Sequence, residues 1–246
     1  MNFEYKGEKI DFKIIRRKRK SICIKIDITG EVQVITPMSI SKEYILNFVN
    51  SKGNWIIEKR KELKNVLNKK VKRDFKNGST FMYLGKEYPL HLIFNDKVKT
   101  VSVNLIAVDL TSNIEQDLKF IVNTNTYDND KLKKALESWY RKETLNIVKE
   151  RINLHKSRFK GKITKVTVKE QKRRYASINI KNETFFNWRI SMAPIEVIDY
   201  IVVHEMCHMD FRNHSKQFWN RVKEVIPNYK IYHDYLKENG INMTID

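Results

Sequence analysis

The chain has 246 residues and carries 48 Lys and Arg against 29 Asp and Glu, a formal net charge of +19. Hydrophobic residues at 41% and charged residues at 31% fit a globular protein, long enough for one large domain or two small ones, and no run of about 18 apolar residues offers a membrane span. The charge favours polyanions in general but names no groove or base contact, and lysine-rich solvated faces account for it as well.

Cys23 and Cys207 give no disulfide framework, and residues 1–6 lack the apolar stretch of a secretory signal, so a cytoplasmic protein is expected. Basic clusters occur at Arg16-Arg17-Lys18-Arg19-Lys20, at residues 59–76 and 156–162, and at Lys172-Arg173-Arg174. They leave open a nucleic-acid partner alongside a polypeptide one.

In chain order, Ile22, Ile24 and Ile26 alternate with polar residues. Val32 and Val34 do the same after the turn Asp27-Ile28-Thr29-Gly30, predicting a hairpin that Pro37 ends. Ser39 or Ser41 then caps a helix with Tyr44, Ile45, Phe48, Val49, Ile56, Leu63 and Leu67 on one side and Gly53 as its weak point. Asn77-Gly78-Ser79 is a turn. Residues 81–94 predict two short strands around Leu84-Gly85-Lys86, with further strands at 98–106 and 118–122. A polar stretch at 123–129 lacks apolar periodicity, and the domain boundary is expected there: a β-rich domain with a helix over 1–125, then a second domain over 126–246.

The second domain opens on a long amphipathic helix with Leu132, Leu136, Trp139, Tyr140, Val148 and Ile152, running towards Phe159 and ended by Gly161. Residues 163–168 alternate as a strand, and 175–180 with 184–190 predict a hairpin about Lys181-Asn182, giving a small antiparallel sheet. Next comes a helix started by Pro194, with Ile195, Ile198, Val202, Met206 and Met209 facing inward and no breaker before Phe211. Asn213 suits a left-handed residue at its end. Ser215 caps another helix with Phe218, Trp219, Val222 and Val225, Pro227 stops it, and 229–238 forms the last. The fold class is α+β. No internal repeat or low-complexity segment is evident.

The chemistry concentrates in His204-Glu205-Met206-Cys207-His208, followed five residues later by His214. Helix positions i and i+4 share a face, so two imidazoles at that spacing reach one ion without bending the backbone. Glu205 sits where it can hold a water, the arrangement of helix-borne zinc sites in metallopeptidases. One Zn²⁺ per chain is expected, on His204, His208 and His214. Cys207 reads as a small buried residue, and His91, His155 and His233 as ordinary histidines without metal partners at useful spacing.

With these residues in view, the chain resembles the YgjP-like metallopeptidases, which are related to the SprT-like zinc proteases. The likeness spans residues 14–240. It is strongest in Ala193-Pro194, in Glu196-Val197-Ile198-Asp199-Tyr200-Ile201-Val202-Val203-His204-Glu205, and in Asn213-His214-Ser215 with Phe218-Trp219 and Pro227. The basic run 16–20, Ser21-Ile22 with Ile24 and Ile26, Tyr83-Leu84-Gly85, Trp139-Tyr140 and Asn187-Trp188-Arg189 also match family positions. The resemblance implies a zincin-like domain in which His204, His208 and His214 bind zinc and Glu205 is the catalytic carboxylate. One segment departs: the family's Arg-Trp-Gly-Ser-Cys is here Arg174-Tyr175-Ala176-Ser177-Ile178, so substrate preference does not carry over.

Zinc would polarise a carbonyl and activate water, and Glu205 would take the proton and return it to the leaving amine. Tyr175, Ser177, Arg174 and Asn187 are candidates for oxyanion or substrate contacts. The edge of the hairpin before the metal helix is a candidate for pairing with an extended peptide. Three functions stay open: a peptidase, with proteins bound to DNA among its candidate substrates; a zinc hydrolase of nucleotide phosphoanhydrides; and a nucleic-acid-binding module with structural zinc. The third is disfavoured because structural zinc normally has four protein ligands. The second lacks any phosphate-cradling Gly-rich motif.

Overall fold

The computed structural model describes residues 1–27, 29–68, 73–107, 118–171 and 173–245; Ile28, Lys69, Lys70, Lys72 and Lys172 of the sequence reading lie outside these. The chain forms two compact units, Met1–Val71 and Lys72–Asp246. The first holds strands β1 (Asn2–Tyr5), β2 (Glu8–Arg16), β3 (Cys23–Ile26) and β4 (Val32–Thr36), then helices α1 (Lys42–Ser51) and α2 (Gly53–Asn68). Its sheet runs β1-β2-β4-β3, with the predicted β3–β4 hairpin pairing Cys23 with Ile35 and Ile26 with Val32. Ile10, Phe12, Val32, Val34, Ile45, Val49 and Ile56 are fully or nearly fully buried between sheet and helices. Ser41 is the cap: its Oγ accepts from the Tyr44 N–H at 3.1 Å. The helix breaks at Lys52, before Gly53, where a Cβ would strike the Tyr5 ring at 2.4 Å.

The second unit begins with β5 (Thr80–Tyr83), β6 (Lys86–Phe94), β7 (Ser102–Ala107) and β8 (Leu118–Thr124), in the order β5-β6-β8-β7. This repeats the first sheet. In both, the outer pairs are antiparallel and the central pair parallel. Even the register recurs: Phe3 opposite Ile10 and Tyr5 opposite Glu8 become Phe81 opposite Tyr88 and Tyr83 opposite Lys86. The expectation of no internal repeat is therefore corrected. Phe3-x-Tyr5-x-Gly7 and Phe81-x-Tyr83-x-Gly85 are its short sequence trace, too brief to stand out without the strands.

The expected boundary near residue 125 falls inside this unit, because β8 and the following helix α3 (Asn129–His155) share one core. Phe120 of β8 lies 6.0 Å from Tyr140 and 5.0 Å from Trp139 of α3, ring centre to ring centre. The polar 123–129 stretch is a connection, with Asp128 capping α3 through the Asp130 and Lys131 amides. Three strands follow: β9 (Lys165–Lys169), β10 (Ala176–Ile178) and β11 (Glu183–Asn187), in the order β10-β11-β9. The β10–β11 hairpin is antiparallel as expected, but β11 pairs parallel with β9, so this sheet is mixed. The strand expected over 184–190 ends at Asn187, whose side chain accepts from the Arg189 amide and starts a 3-10 turn, Trp188–Met192.

That turn ties the unit together. Trp188 is 1% exposed and its carbonyl accepts from Thr144 Oγ1 of α3 at 2.7 Å. The tip of the β5–β6 hairpin docks on the same segment, with the Leu84 and Gly85 amides donating to the Ser191 and Met192 carbonyls at 2.8 and 3.0 Å. Gly85 has φ +81°, and a Cβ there would meet Pro194 Cγ at 2.7 Å. Gly85→Ala is expected to cost about 2–4 kcal/mol, from the strained φ and the overpacking, read as a lower urea midpoint at unchanged slope. Helices α4 (Ile195–Cys207), α5 (Lys216–Val225) and α6 (Tyr229–Asn239) complete the unit. No described helix is long and apolar enough to cross a membrane.

Candidate metal centre

Helix α4 is buried on several sides, with Val197, Ile198, Ile201, Val202, Val203 and Met206 all in the core. Its rear face is fixed by Asp199, which takes two hydrogen bonds from Arg151 of α3 at 2.6 and 2.8 Å and lies 3.0 Å from His155 Nε2. The helix ends earlier than the expected Phe211. It stops at Cys207, and the chain turns through hydrogen bonds from the His208, Met209 and Asp210 amides to the Glu205, Met206 and Cys207 carbonyls. Asn213 is not left-handed; the positive-φ residues other than Gly are Lys6, Leu84 and Asn182 among those described. Successive tightened turns reverse the chain instead.

Reversal brings His214 beside the helix, and Ser215 starts α5 at once by accepting from the Phe218 amide. Phe218 then stacks on His208 (centroids 4.5 Å apart), and Trp219 on His214 (5.7 Å). The donor atoms of His204, His208 and His214 all lie within 4.8 Å of one another. His208 Nδ1 meets the Phe211 carbonyl at 3.1 Å, which can only accept, so that nitrogen carries the proton and Nε2 keeps its lone pair.

These residues fit a metal cation. His204 Nε2 and His214 Nε2 face each other at 3.0 Å. Two ring nitrogens at that distance are held together by a shared proton, in an N–H···N hydrogen bond, or by a cation that takes both lone pairs. Burial, with the neighbouring histidines, pushes His204 down to about 3 and also lowers His208, so protonation is opposed. Imidazole donors suit zinc and its first-row neighbours.

Glu205 is 6% exposed, and burial pushes its carboxyl up to about 7, with Arg174 pulling the other way. Two grooves meet at it, sharing Ala176, His204 and Glu205. One, of about 420 Å³, also holds Arg174, Ser177, Ile178, His208 and His214. The other, of about 400 Å³, is walled by Tyr175, Tyr200, Ile201 and Leu236. Of the sequence candidates, Arg174 and Ser177 thus reach the histidine groove and Tyr175 the apolar one. The Tyr175 hydroxyl is engaged, donating to the Leu236 carbonyl at 3.2 Å.

Asn187 reaches neither groove. Its Nδ2 donates to the Gln171 and Arg174 carbonyls at 2.8 and 3.2 Å, so it holds the loop that carries Arg174. Arg212 and His233, in contrast, line the grooves: Arg212 was not singled out from the sequence, and His233 was read there as an ordinary histidine. Arg212 follows the reversal after α4, and His233 arrives on α6; neither has a spacing relation to the motif. Cys207 is buried as expected, with its thiol pushed up to about 12 by burial. His155 is buried beside the Arg151–Asp199 ion pair.

Against known proteins, the profile of the YgjP-like metallopeptidase domain matches residues 20–239. No curated protein matches significantly. Among solved structures, the metallopeptidase zymogen of Pyrococcus abyssi abylysin aligns with TM-score 0.32 and 20% identity, over 38% of this chain and 90% of that chain. The metallopeptidase zymogen of Methanocaldococcus jannaschii jannalysin aligns with TM-score 0.29 and 22% identity, over 38% of this chain and 91% of that one. Neither overlap is close enough to define the fold. The family match covers nearly the whole chain, the histidine cluster included, and the chain belongs to the YgjP-like metallopeptidase family.

Proposed function

We propose that this metallopeptidase is a zinc enzyme of zincin-like design, with His204, His208 and His214 holding one ion and Glu205 as general base. The observation that carries the reading is the buried Glu205 carboxylate, set beside three convergent imidazoles where two grooves meet. The ion, when bound, would supply Lewis-acid polarisation and water activation. Glu205 accepts the proton of the attacking water and passes it to the departing amine. Arg174 and Ser177 stand in the groove where negative charge would develop on the carbonyl oxygen.

The register of β10 suggests how a substrate chain lies. Asn187 N donates to Tyr175 O and Asn179 N to Glu183 O, so alternate residues 175, 177 and 179 bond to β11. Ala176 and Ile178 therefore turn their N–H and C=O away from the sheet, along the edge that borders Glu205. An extended peptide pairing there spans both grooves and seats an apolar side chain against Tyr200, Ile201 and Leu236. Ile178→Pro and Ala176→Pro remove only outward N–H groups, so the β10–β11 ladder survives. Each is expected to lower kcat/KM for an unfolded protein by about tenfold or more, as for one or two lost hydrogen bonds at 1–1.5 kcal/mol each. Full turnover in both variants argues against the edge-pairing pose.

Arg174 and Arg212 in one groove also suit an anionic substrate, which keeps nucleotide phosphoanhydrides as the second reading. Parallel assays of the zinc-loaded chain on an unfolded protein and on nucleoside triphosphates separate the two. Peptide cleavage without phosphate release supports the peptidase; phosphate release alone replaces it. A purely structural zinc fits less well, since the cluster offers three ligands and Cys207 is buried outside it.

A further inference from the structure

Positive charge is unevenly spread. Residues 1–71 hold 17 Lys and Arg against 8 Asp and Glu, so the first unit carries +9 of the chain's +19 on fewer than a third of its residues. Five of those cations are the consecutive run Arg16 to Lys20 that leads into β3, an edge strand of its sheet.

Beside that edge lies a groove of about 380 Å³, formed by Ile22, Cys23 and Ile24 on one side and Phe48, Lys52 and Trp55 on the other. Trp55 is 45% exposed, and Tyr44, one turn before Phe48 on α1, is 55% exposed. Tyr44 and Phe48, one turn apart on α1, are separated by about 6 Å along the axis; Phe48 is half-buried against the core, and Trp55 follows on α2. Arg19 is held at the groove, its guanidinium donating to Cys23 Sγ at 3.1 Å and Ser21 Oγ at 3.0 Å. Arg17, Lys18, Lys20 and Lys52 are exposed and have no acidic partner among the described residues.

We propose that this face of the first unit binds single-stranded nucleic acid, with bases stacked along Tyr44, Phe48 and Trp55 and phosphates on the Arg17 to Lys20 run and Lys52. Charge alone attracts any polyanion, but exposed aromatic faces beside the charge favour unpaired bases over a closed duplex. An acidic peptide would satisfy the cations and leave the aromatic stripe without a planar partner. The inference is independent of the peptidase reading, because every residue it uses lies in the first unit.

The test is fluorescence anisotropy of the full chain with a labelled oligothymidylate of about twenty nucleotides. Trp55→Ala is expected to weaken binding about 5- to 100-fold, the range for loss of one stacking platform. Lys18→Glu/Lys20→Glu is expected to weaken it and flatten its salt dependence. Glu205→Gln is expected to bind as the parent does. Circular dichroism confirms that each variant is folded; if Trp55→Ala is not, Tyr44→Ala takes its place. Equal binding by Trp55→Ala and the parent, equal affinity for duplex DNA, or displacement by an equal charge of polyglutamate would each overturn the proposal.

Discussion

Glu205→Gln is expected to reduce turnover of an unfolded protein substrate by about 10²–10⁴-fold while zinc content stays at the parent value. Gln has nearly the shape of Glu, and the side chain at 205 is buried, only 6% exposed. The substitution therefore leaves the packing of α4 in place. What it removes is the ability to accept a proton, which is worth this range when a positioned base is lost. The three imidazoles are untouched, so metal analysis should read the same for both proteins. Loss of zinc together with activity would instead make Glu205 a structural support of the cluster. Retained turnover would take the general-base role from it altogether.

Trp188→Ala is expected to cost about 3–5 kcal/mol of stability, the range for deleting a large buried aromatic side chain. Trp188 is buried in the turn that joins β11 to α4, packed against α3. Its ring centre is 5.8 Å from that of Tyr140, its Nε1 donates to Glu170 Oε2 at 2.6 Å, and Arg189 covers its face at 4.4 Å. Truncation leaves a cavity in the segment that joins β11 to α4 and removes the Nε1 partner of Glu170 Oε2, just past β9. Urea unfolding reads the cost directly. A loss below about 1 kcal/mol would mean that the cavity collapses and Trp188 is not the tie between this turn and α3.

The histidine cluster was legible because its geometry is local. His204 and His208 share a helix face by spacing alone, and Ser215 just after His214 announces the helix that carries Phe218 and Trp219 beneath the rings. The hairpins were legible for the same reason: alternation at Ile22, Ile24 and Ile26, and Gly85 at a turn. What was hidden depends on contacts distant in sequence. Strands β1 and β2 are the exception: they were not predicted, although Ile10, Phe12 and Ile14 alternate with Lys9, Asp11 and Lys13 as a half-buried strand should. The parallel pairings β2–β4 and β6–β8 have no turn to signal them. The boundary was misplaced because a polar linker resembles a domain junction until the Phe120–Tyr140 packing across it is seen. Asn187 resembled a site residue for the opposite reason: its amide is fully engaged in holding a loop.

The measurement that bears most directly on the central claim is zinc-dependent reactivation. Protein stripped with a chelator is titrated with zinc while cleavage of an unfolded protein is followed. Activity is expected to rise from near zero and level off at one zinc per chain, and His208→Ala is expected to retain neither zinc nor activity. Full cleavage by the stripped protein, or stoichiometric zinc on a variant lacking all three of His204, His208 and His214, would contradict the account.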